Sequence, residues 1–230
     1  MMTKTRKERT PEQKDFDKVN EAIDNISSGD LESAKTILEK VTANVPTDYK
    51  NEYKKDGKLH IKFWDKEAFM HYADWILKHG SGKEKDVYWV GNAYPRAYYY
   101  LGYIHVEEGN YQKAIELFDE GLRLEPTNPN FKTEKAAAYQ STGNNKKAIS
   151  FYNQVPDIGL YVSKKQKARA LRGKGVALID LNKFASAKKA LKKSLQIEPD
   201  NERARAELHY ISNLRVGGKR VSSDIFDPRR

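Results

Sequence analysis

Small and large apolar residues return along this chain in a fixed order. Ala34, Ala114, Ala148 and Ala187 each open a short helical stretch whose apolar partners follow three or four residues later, and Ala114 and Ala148 stand 34 residues apart. Spacing of that kind puts one apolar stripe on each of two consecutive helices. A frame opened at Pro95 contains Tyr98, Leu101, Gly102, Gly109, Tyr111, Ala114, Phe118 and Pro126 in this order. The frame opened at Pro129 answers with Ala136, Tyr139, Gly143, Ala148 and Tyr152, and the frame at Ala168 with Leu171, Gly175, Leu178, Phe184, Ala187, Leu191 and Pro199. The last is displaced because 156–163 lengthens the join. Small residues let two helices cross closely, large ones fill the space beside them, and a proline stops the second helix.

These places resemble the tetratricopeptide repeat, whose signature sets an aromatic at 4, Leu-Gly at 7 and 8, Tyr at 11, Ala at 20, Phe at 24 and Pro at 32. The resemblance implies an all-α fold, a helical solenoid coiled as a right-handed superhelix. Lys132, Lys135 and Lys174 fall where the signature wants Trp or Leu, which predicts looser turns there. An earlier copy, 15–48, keeps Gly29, Ala34, Leu38 and Pro46. Its first helix carries a displaced stripe of Phe16, Val19, Ile23 and Ile26, so it reads as a degenerate first repeat. Repeats then follow at 95–128, 129–167 and 168–201. Residues 202–215, with Ala204, Leu208 and Ile211 on one face, read as a capping helix. Charged ends, 1–14 and 216–230, read as flexible tails.

The stretch 49–94 breaks the repeat. Leu59, Ile61 and Phe63 alternate with His60 and Lys62 behind Asp56-Gly57, a pattern that predicts a two-residue β-hairpin. Asp65 then caps an amphipathic helix bearing Phe69, Tyr72, Ala73, Ile76 and Leu77, which ends near Gly80. Two roles are open for this insertion: a cover for an exposed edge of the stack, or a lid that meets a partner.

Composition narrows the chemistry. The 230 residues hold no cysteine, which excludes disulfides, thiolate metal sites and thiol nucleophiles. No two of the five histidines share the four-residue helical spacing of a metal site, and no phosphate loop, nucleophile elbow or dinucleotide fingerprint is present. The expectation is a non-enzymatic protein with no cofactor and no metal. No apolar stretch reads as a signal or membrane span, so a cytoplasmic protein is expected. The net charge is +10, and it is uneven: from Lys146 to Lys193 thirteen basic residues face only Asp157 and Asp180. That end either solvates an outer face or attracts an acidic partner or nucleic acid.

In the family, certain places of each first helix line the concave face. The resemblance therefore assigns Arg96, Tyr99, Tyr100 and Tyr103 from one repeat, Asn130, Thr133 and Gln140 from the next, and Arg169 and Arg172 from the last as peptide-binding residues. Val106, Glu107, Glu134, Ala137, Ser141, Val176, Ile179 and Asp180 fall on the same face. Tyr99 and Tyr103 lie four apart, hence on one helical surface and off the packing places. The expected function is a scaffold or adaptor that holds a peptide segment of a protein partner, with the tyrosines as apolar anchors and the arginines favouring an acidic segment. The competing expectation for Tyr99 and Tyr103 is that they pack on the insertion helix around Phe69 and Trp75. Tetratricopeptide domains that clamp a chaperone's C-terminal carboxylate use Lys, Asn, Asn, Lys and Arg at five places, which here hold Tyr99, Tyr103, Glu134, Arg169 and Gly173. That clamp is therefore not expected. Nucleic-acid binding by the basic repeats is the alternative function, and association through the solenoid ends a third.

Overall fold

The computed structural model describes residues 9–80, 87–155 and 162–219. They fall into two compact units. The first runs to Glu108 and includes Asp119–Pro126; the second holds Gly109–Phe118 and the chain from Thr127 onward.

The first unit opens with α1 (Pro11–Ser28) and α2 (Leu31–Thr42). Thr10 and Gln13 bond each other's backbone in a capping box, and Pro11 stands at the first helical position. Residues 11–14, assigned above to the tail, therefore belong to α1; residues 1–8 of that assignment lie outside the described residues. The buried stripe of α1 is Asp15, Val19 and Ala22, with Phe16 and Ile23 half-buried beside it. A carboxylate is tolerated there because Asp15 accepts from Asn44 Nδ2 at 3.0 Å and from Lys18 Nζ at 2.9 Å. Ala34, Leu38 and Val41 bury the matching face of α2.

The insertion forms the expected hairpin from β1 (Glu52–Lys55) and β2 (Lys58–Phe63). Asp56 and Gly57 take φ values of 51° and 74°, as a two-residue turn of this hand requires. Helix α3 (Lys66–His79) follows, its first turn capped by Asp65 through Ala68 N at 2.8 Å. A third strand, β3 (Val87–Gly91), was not anticipated; it pairs parallel to β2, from Leu59 opposite Val87 to Phe63 opposite Gly91. Together β2, α3 and β3 make a strand–helix–strand unit, in which Phe63 meets Phe69 and Tyr72 of α3 at ring separations of 5.5 and 5.4 Å. At the end of β3, Gly91 lets α1 come close: a Cβ there would lie 2.9 Å from the Phe16 ring.

Helix α4 (Tyr94–Glu107) joins α1 and α2. Arg96 Nη1 donates to Asn20 Oδ1 at 2.7 Å, and Lys35 Nζ reaches Glu108 at 3.0 Å. Helix α5 (Tyr111–Leu124) contributes residues to both units. A buried polar knot fastens the insertion to the helices of the first unit. Asn92, fully buried, donates to Asn51 Oδ1 at 2.8 Å and accepts from the Tyr49 hydroxyl at 2.7 Å. Glu125 Oε2 accepts from the Trp64 indole N–H at 2.8 Å.

The second unit is helical: α6 (Pro129–Ser141), α7 (Asn145–Gln154), α8 (Lys164–Asp180), α9 (Phe184–Ile197) and α10 (Glu202–Arg215). Ser163 and Gln166 form a second capping box, so α8 starts one turn before the repeat frame opened at Ala168. The expected cap, 202–215, coincides with α10. Of the C-terminal tail, 216–219 is described and non-helical; the remainder lies outside the described residues. One core joins Ala136, Ala148, Tyr152, Val155, Ala170 and Ala177; another joins Leu178, Ile179, Ala187, Ala190, Leu191, Ala204 and Ile211. Close approach is bought with glycine: a Cβ on Gly173 would sit 2.3 Å from Tyr152 Cζ, and one on Gly175 2.7 Å from Leu191. Lysine at apolar places does not loosen α6. Lys135 is buried with its ammonium 4.7 Å from the Phe151 ring centre, and Lys132 donates to Gln154 at 2.8 Å.

Candidate functional site

In the first unit, the assigned residues of α4 are engaged with their own chain. Tyr99 is half-buried with its ring centre 4.9 Å from that of Trp64, at the end of β2. Tyr99 thus meets the insertion at Trp64, just after β2, rather than on the insertion helix around Phe69 and Trp75. Tyr100 stands edge-on to Tyr99 at 5.3 Å, and Arg96 lies over Phe16 at 5.1 Å with Tyr100 at 5.9 Å. Tyr103 is half-buried one turn further on, while Val106 is buried and Glu107 exposed. Tyr98, at a packing place, has its hydroxyl held above its ordinary titration range by burial and by the nearby Glu120 charge.

In the second unit the assigned residues form a polar ladder between neighbouring first helices. Gln166 Nε2 of α8 donates to Asn130 Oδ1 of α6 at 3.0 Å. One turn along, Arg169 pairs with Glu134 at 2.5 Å. Near the far end, Gln140 Nε2 donates to Asp180 Oδ2 at 3.3 Å and its carbonyl faces the Tyr152 hydroxyl at 3.5 Å. Arg172 turns the other way, pairing with Glu198 and reaching Ser194 Oγ at 3.5 Å. Thr133 is buried and bonds back to the Pro129 carbonyl at 2.9 Å, so its hydroxyl serves its own helix. Ala137, Val176 and Ile179 are buried, whereas Ser141 is exposed.

The ladder has an acidic end. Glu207 of α10 is only 5% exposed, and Asp180 is the charged group that acts on it. Burial, then the like charge of Asp180, push its carboxyl up to about 7. Neither Glu207 nor the bridging Gln166 was assigned from the sequence. Gln166 was legible as the partner of a Ser163 capping box; Glu207 sits in a helix read only for its apolar face. Lys132 is shifted the opposite way, its ammonium disfavoured by burial and by Lys135. Among the described residues no group of three His, Asp or Glu side chains is placed to hold a metal ion, and no helix is long and apolar enough to cross a membrane.

Comparison with known proteins agrees with this architecture. A tetratricopeptide repeat model matches residues 95–128, and a second matches 161–201. The first match coincides with the frame opened at Pro95. The second begins ahead of the Ala168 frame, in keeping with the early start of α8. RNA polymerase II-associated protein 3 of Homo sapiens is 29% identical over 184 residues, covering 79% of this chain and 26% of that protein. The heat-shock protein cognate co-chaperone sgt12 of Aspergillus fumigatus is 31% identical over 88 residues, 38% of this chain and 24% of that protein. The chain thus spans about a quarter of the length of these curated relatives. The solved structure of MamA from Desulfovibrio magneticus RS-1 shares the fold, with a TM-score of 0.56 and 17% identity across 89% of this chain and 86% of that one. Paired helices with small residues at their crossings, and matches to two tetratricopeptide repeat models over 95–128 and 161–201, show that the chain carries tetratricopeptide repeats.

Proposed function

We propose that this protein is a non-enzymatic adaptor that holds a peptide segment of a partner protein against the first helices α6 and α8 of its second unit. The polar ladder between α6 and α8 carries this reading. A face meant only for packing buries apolar groups, whereas Asn130, Gln166, Arg169, Gln140 and Asp180 are half-buried and paired side chain to side chain. Such groups can exchange an internal partner for one on a guest at little net cost, because each lost bond is replaced. The co-chaperone among the relatives works, by its name, alongside another protein, which fits an adaptor.

The guest is held by side-chain pairing in this reading. A clamp for a terminal carboxylate has no support at Gly173, where the clamp wants an arginine and Tyr152 fills the space. Nucleic-acid binding gains no comparable observation: the exposed Lys188, Lys189, Lys192 and Lys193 belong to α9, a second helix.

The test is a charge-balanced double variant, Glu134→Gln with Arg169→Gln, which removes the ladder's ion pair without stranding one buried charge. A partner segment mapped by cross-linking to the native protein should bind the variant at least about fivefold more weakly, a loss of about 1 kcal/mol. Unchanged affinity with native helix content would refute the assignment.

A further inference from the structure

The second helices of the repeats handle charge in two ways. Along α5, cations meet acids of their own helix, Lys113 with Glu116 at 3.5 Å and Arg123 with Glu120 at 3.0 Å, and on α2 Lys35 reaches Glu108. Helix α9 has no such compensation. Its buried side is Ala187, Ala190, Leu191 and Ser194, and its opposite side presents Lys188, Lys189, Lys192 and Lys193, all exposed. No Asp or Glu occurs between Phe184 and Ile197, and none of the four ammonium groups has a hydrogen bond or ion pair among the described residues. Helical spacing sets Lys188 about 6 Å from Lys192, and Lys189 as far from Lys193, so like charges stand in two adjacent columns and weaken the helix. A further lysine, Lys183, holds the N-cap position without a side-chain bond, at the end where the backbone dipole is already positive. Helix α7, the second helix before it, adds exposed Lys146 and Lys147 and no acid. A face that needs only water can mix its charges; a face of one sign, kept against its own repulsion, suits a partner of the opposite sign.

We propose that the exposed side of α9 is a docking surface for an acidic segment of a partner protein, a helix whose carboxylates recur at four-residue spacing and so match the two lysine columns. Ala185 and Gln196, both exposed, lie between the columns and add no charge. A carboxylate that bridges two ammonium groups of one column replaces their repulsion with two charge-assisted contacts, so the guest relieves a cost that the free chain carries. Other polyanions fit this surface less well. A single-stranded nucleic acid is held by aromatic rings as well as cations, and a membrane surface by apolar anchors beside the lysines. Helix α9 presents neither, since the exposed large apolar residues are Met70, Leu77, Tyr88, Trp89 and Val216, none of them on this helix. The surface belongs to a second helix, so it stands independently of the ladder between the first helices α6 and α8 and adds a second contact to it.

The experiment is fluorescence anisotropy of the full chain with a labelled, acetylated alanine-based helical peptide carrying Glu at every fourth residue, and with the same peptide carrying Gln there. The Glu peptide should bind at low salt and weaken at physiological salt, while the Gln peptide stays unbound. The variant Lys188→Gln, Lys189→Gln, Lys192→Gln, Lys193→Gln keeps helix propensity and should lose at least about tenfold in affinity. Arginine at the same four places should retain binding. Lys40→Gln, Lys50→Gln, Lys54→Gln, Lys55→Gln removes the same charge from exposed positions of the first unit and should change affinity by less than about twofold. Equal losses in the two glutamine variants would show that net charge alone attracts the peptide, and would overturn the proposal. Binding of the Gln peptide would do the same, as would tighter capture, through these lysines, of oligo(dT) or of phosphatidylserine vesicles. The Glu134→Gln, Arg169→Gln variant should hold the Glu peptide as the native chain does. Loss there, with retention in the α9 variant, would assign the acidic segment to the ladder and reject this surface. Segment capture that survives the Glu134→Gln, Arg169→Gln exchange would remove the ladder reading and leave the α9 result untouched.

Discussion

Glu207 offers the sharpest test at the residue scale, because its position has a defined cost. Its carboxyl is pushed from an ordinary value near 4.5 up to about 7. The folded protein therefore keeps a proton that the unfolded chain has released, and stability falls as pH rises between those two values. Below about 4.5 the cost vanishes. Glu207→Gln should thus be more stable than the native chain at pH 8, by on the order of 2–3 kcal/mol, with the gap closing towards pH 4.5. Urea unfolding at pH 4.5, 6 and 8 measures it; a gap independent of pH would contradict the buried carboxyl. Asn92 lies at the opposite extreme, buried and satisfied by Asn51 and Tyr49. Asn92→Leu leaves the Tyr49 hydroxyl and the Asn51 carbonyl without their partner and should cost about 2–4 kcal/mol in urea unfolding. A cost under about 0.5 kcal/mol would show that the knot is dispensable.

At the scale of elements, helix ends and strand pairings account for most departures from the sequence reading. Helix α1 reaches back to Pro11 and α8 to Lys164 because Thr10-Gln13 and Ser163-Gln166 cap them, a local signal that a repeat frame overlooks. Strand β3 depends on β2, since a five-residue strand exists only where an edge receives it. Val87, Tyr88, Trp89 and Val90 have the composition of a strand, but composition names no partner. The insertion is tied down by Trp64, through its ring to Tyr99 and its N–H to Glu125. Trp64→Phe keeps much of the ring and removes the donor, so it should cost about 1–3 kcal/mol. Tyr99→Ala should cost about 3 kcal/mol or more, because it empties space against Trp64. Loss of segment binding in Tyr99→Ala is therefore to be read only beside its thermal unfolding curve.

For the whole molecule, repeats gain their cores from immediate neighbours, so damage should stay local. Gly173→Ala forces a methyl against Tyr152 and should destabilise the second unit by about 1–3 kcal/mol. Amide hydrogen exchange should show lost protection in α7 and α8, with α1 and α2 little changed. Uniform loss along the chain would mean that the repeats unfold as one cooperative body. The charge of the chain belongs to this scale too. Its excess sits largely in a stretch where Asp180 is one of two acids, and Asp180 is the one paired with Gln140 in the ladder. Position therefore matters more than the net value of +10 for the field around the ladder.

Sequence alone determined the helix pairs, the Asp56-Gly57 turn, the small residues at crossings such as Ala148 and Gly175, and the helix α10. Each of these is dictated within a few residues, by periodicity, by positive φ or by the room between two helices. Tertiary structure decided what the face residues do. Arg169 meets Glu134 across 35 positions of chain, Tyr99 meets Trp64 across the same number, and Glu207 is buried where the charge of Asp180 raises its proton affinity. The physical reason is range: backbone preference is settled by near neighbours, whereas a charged or aromatic side chain takes its state from whichever groups the completed fold brings beside it.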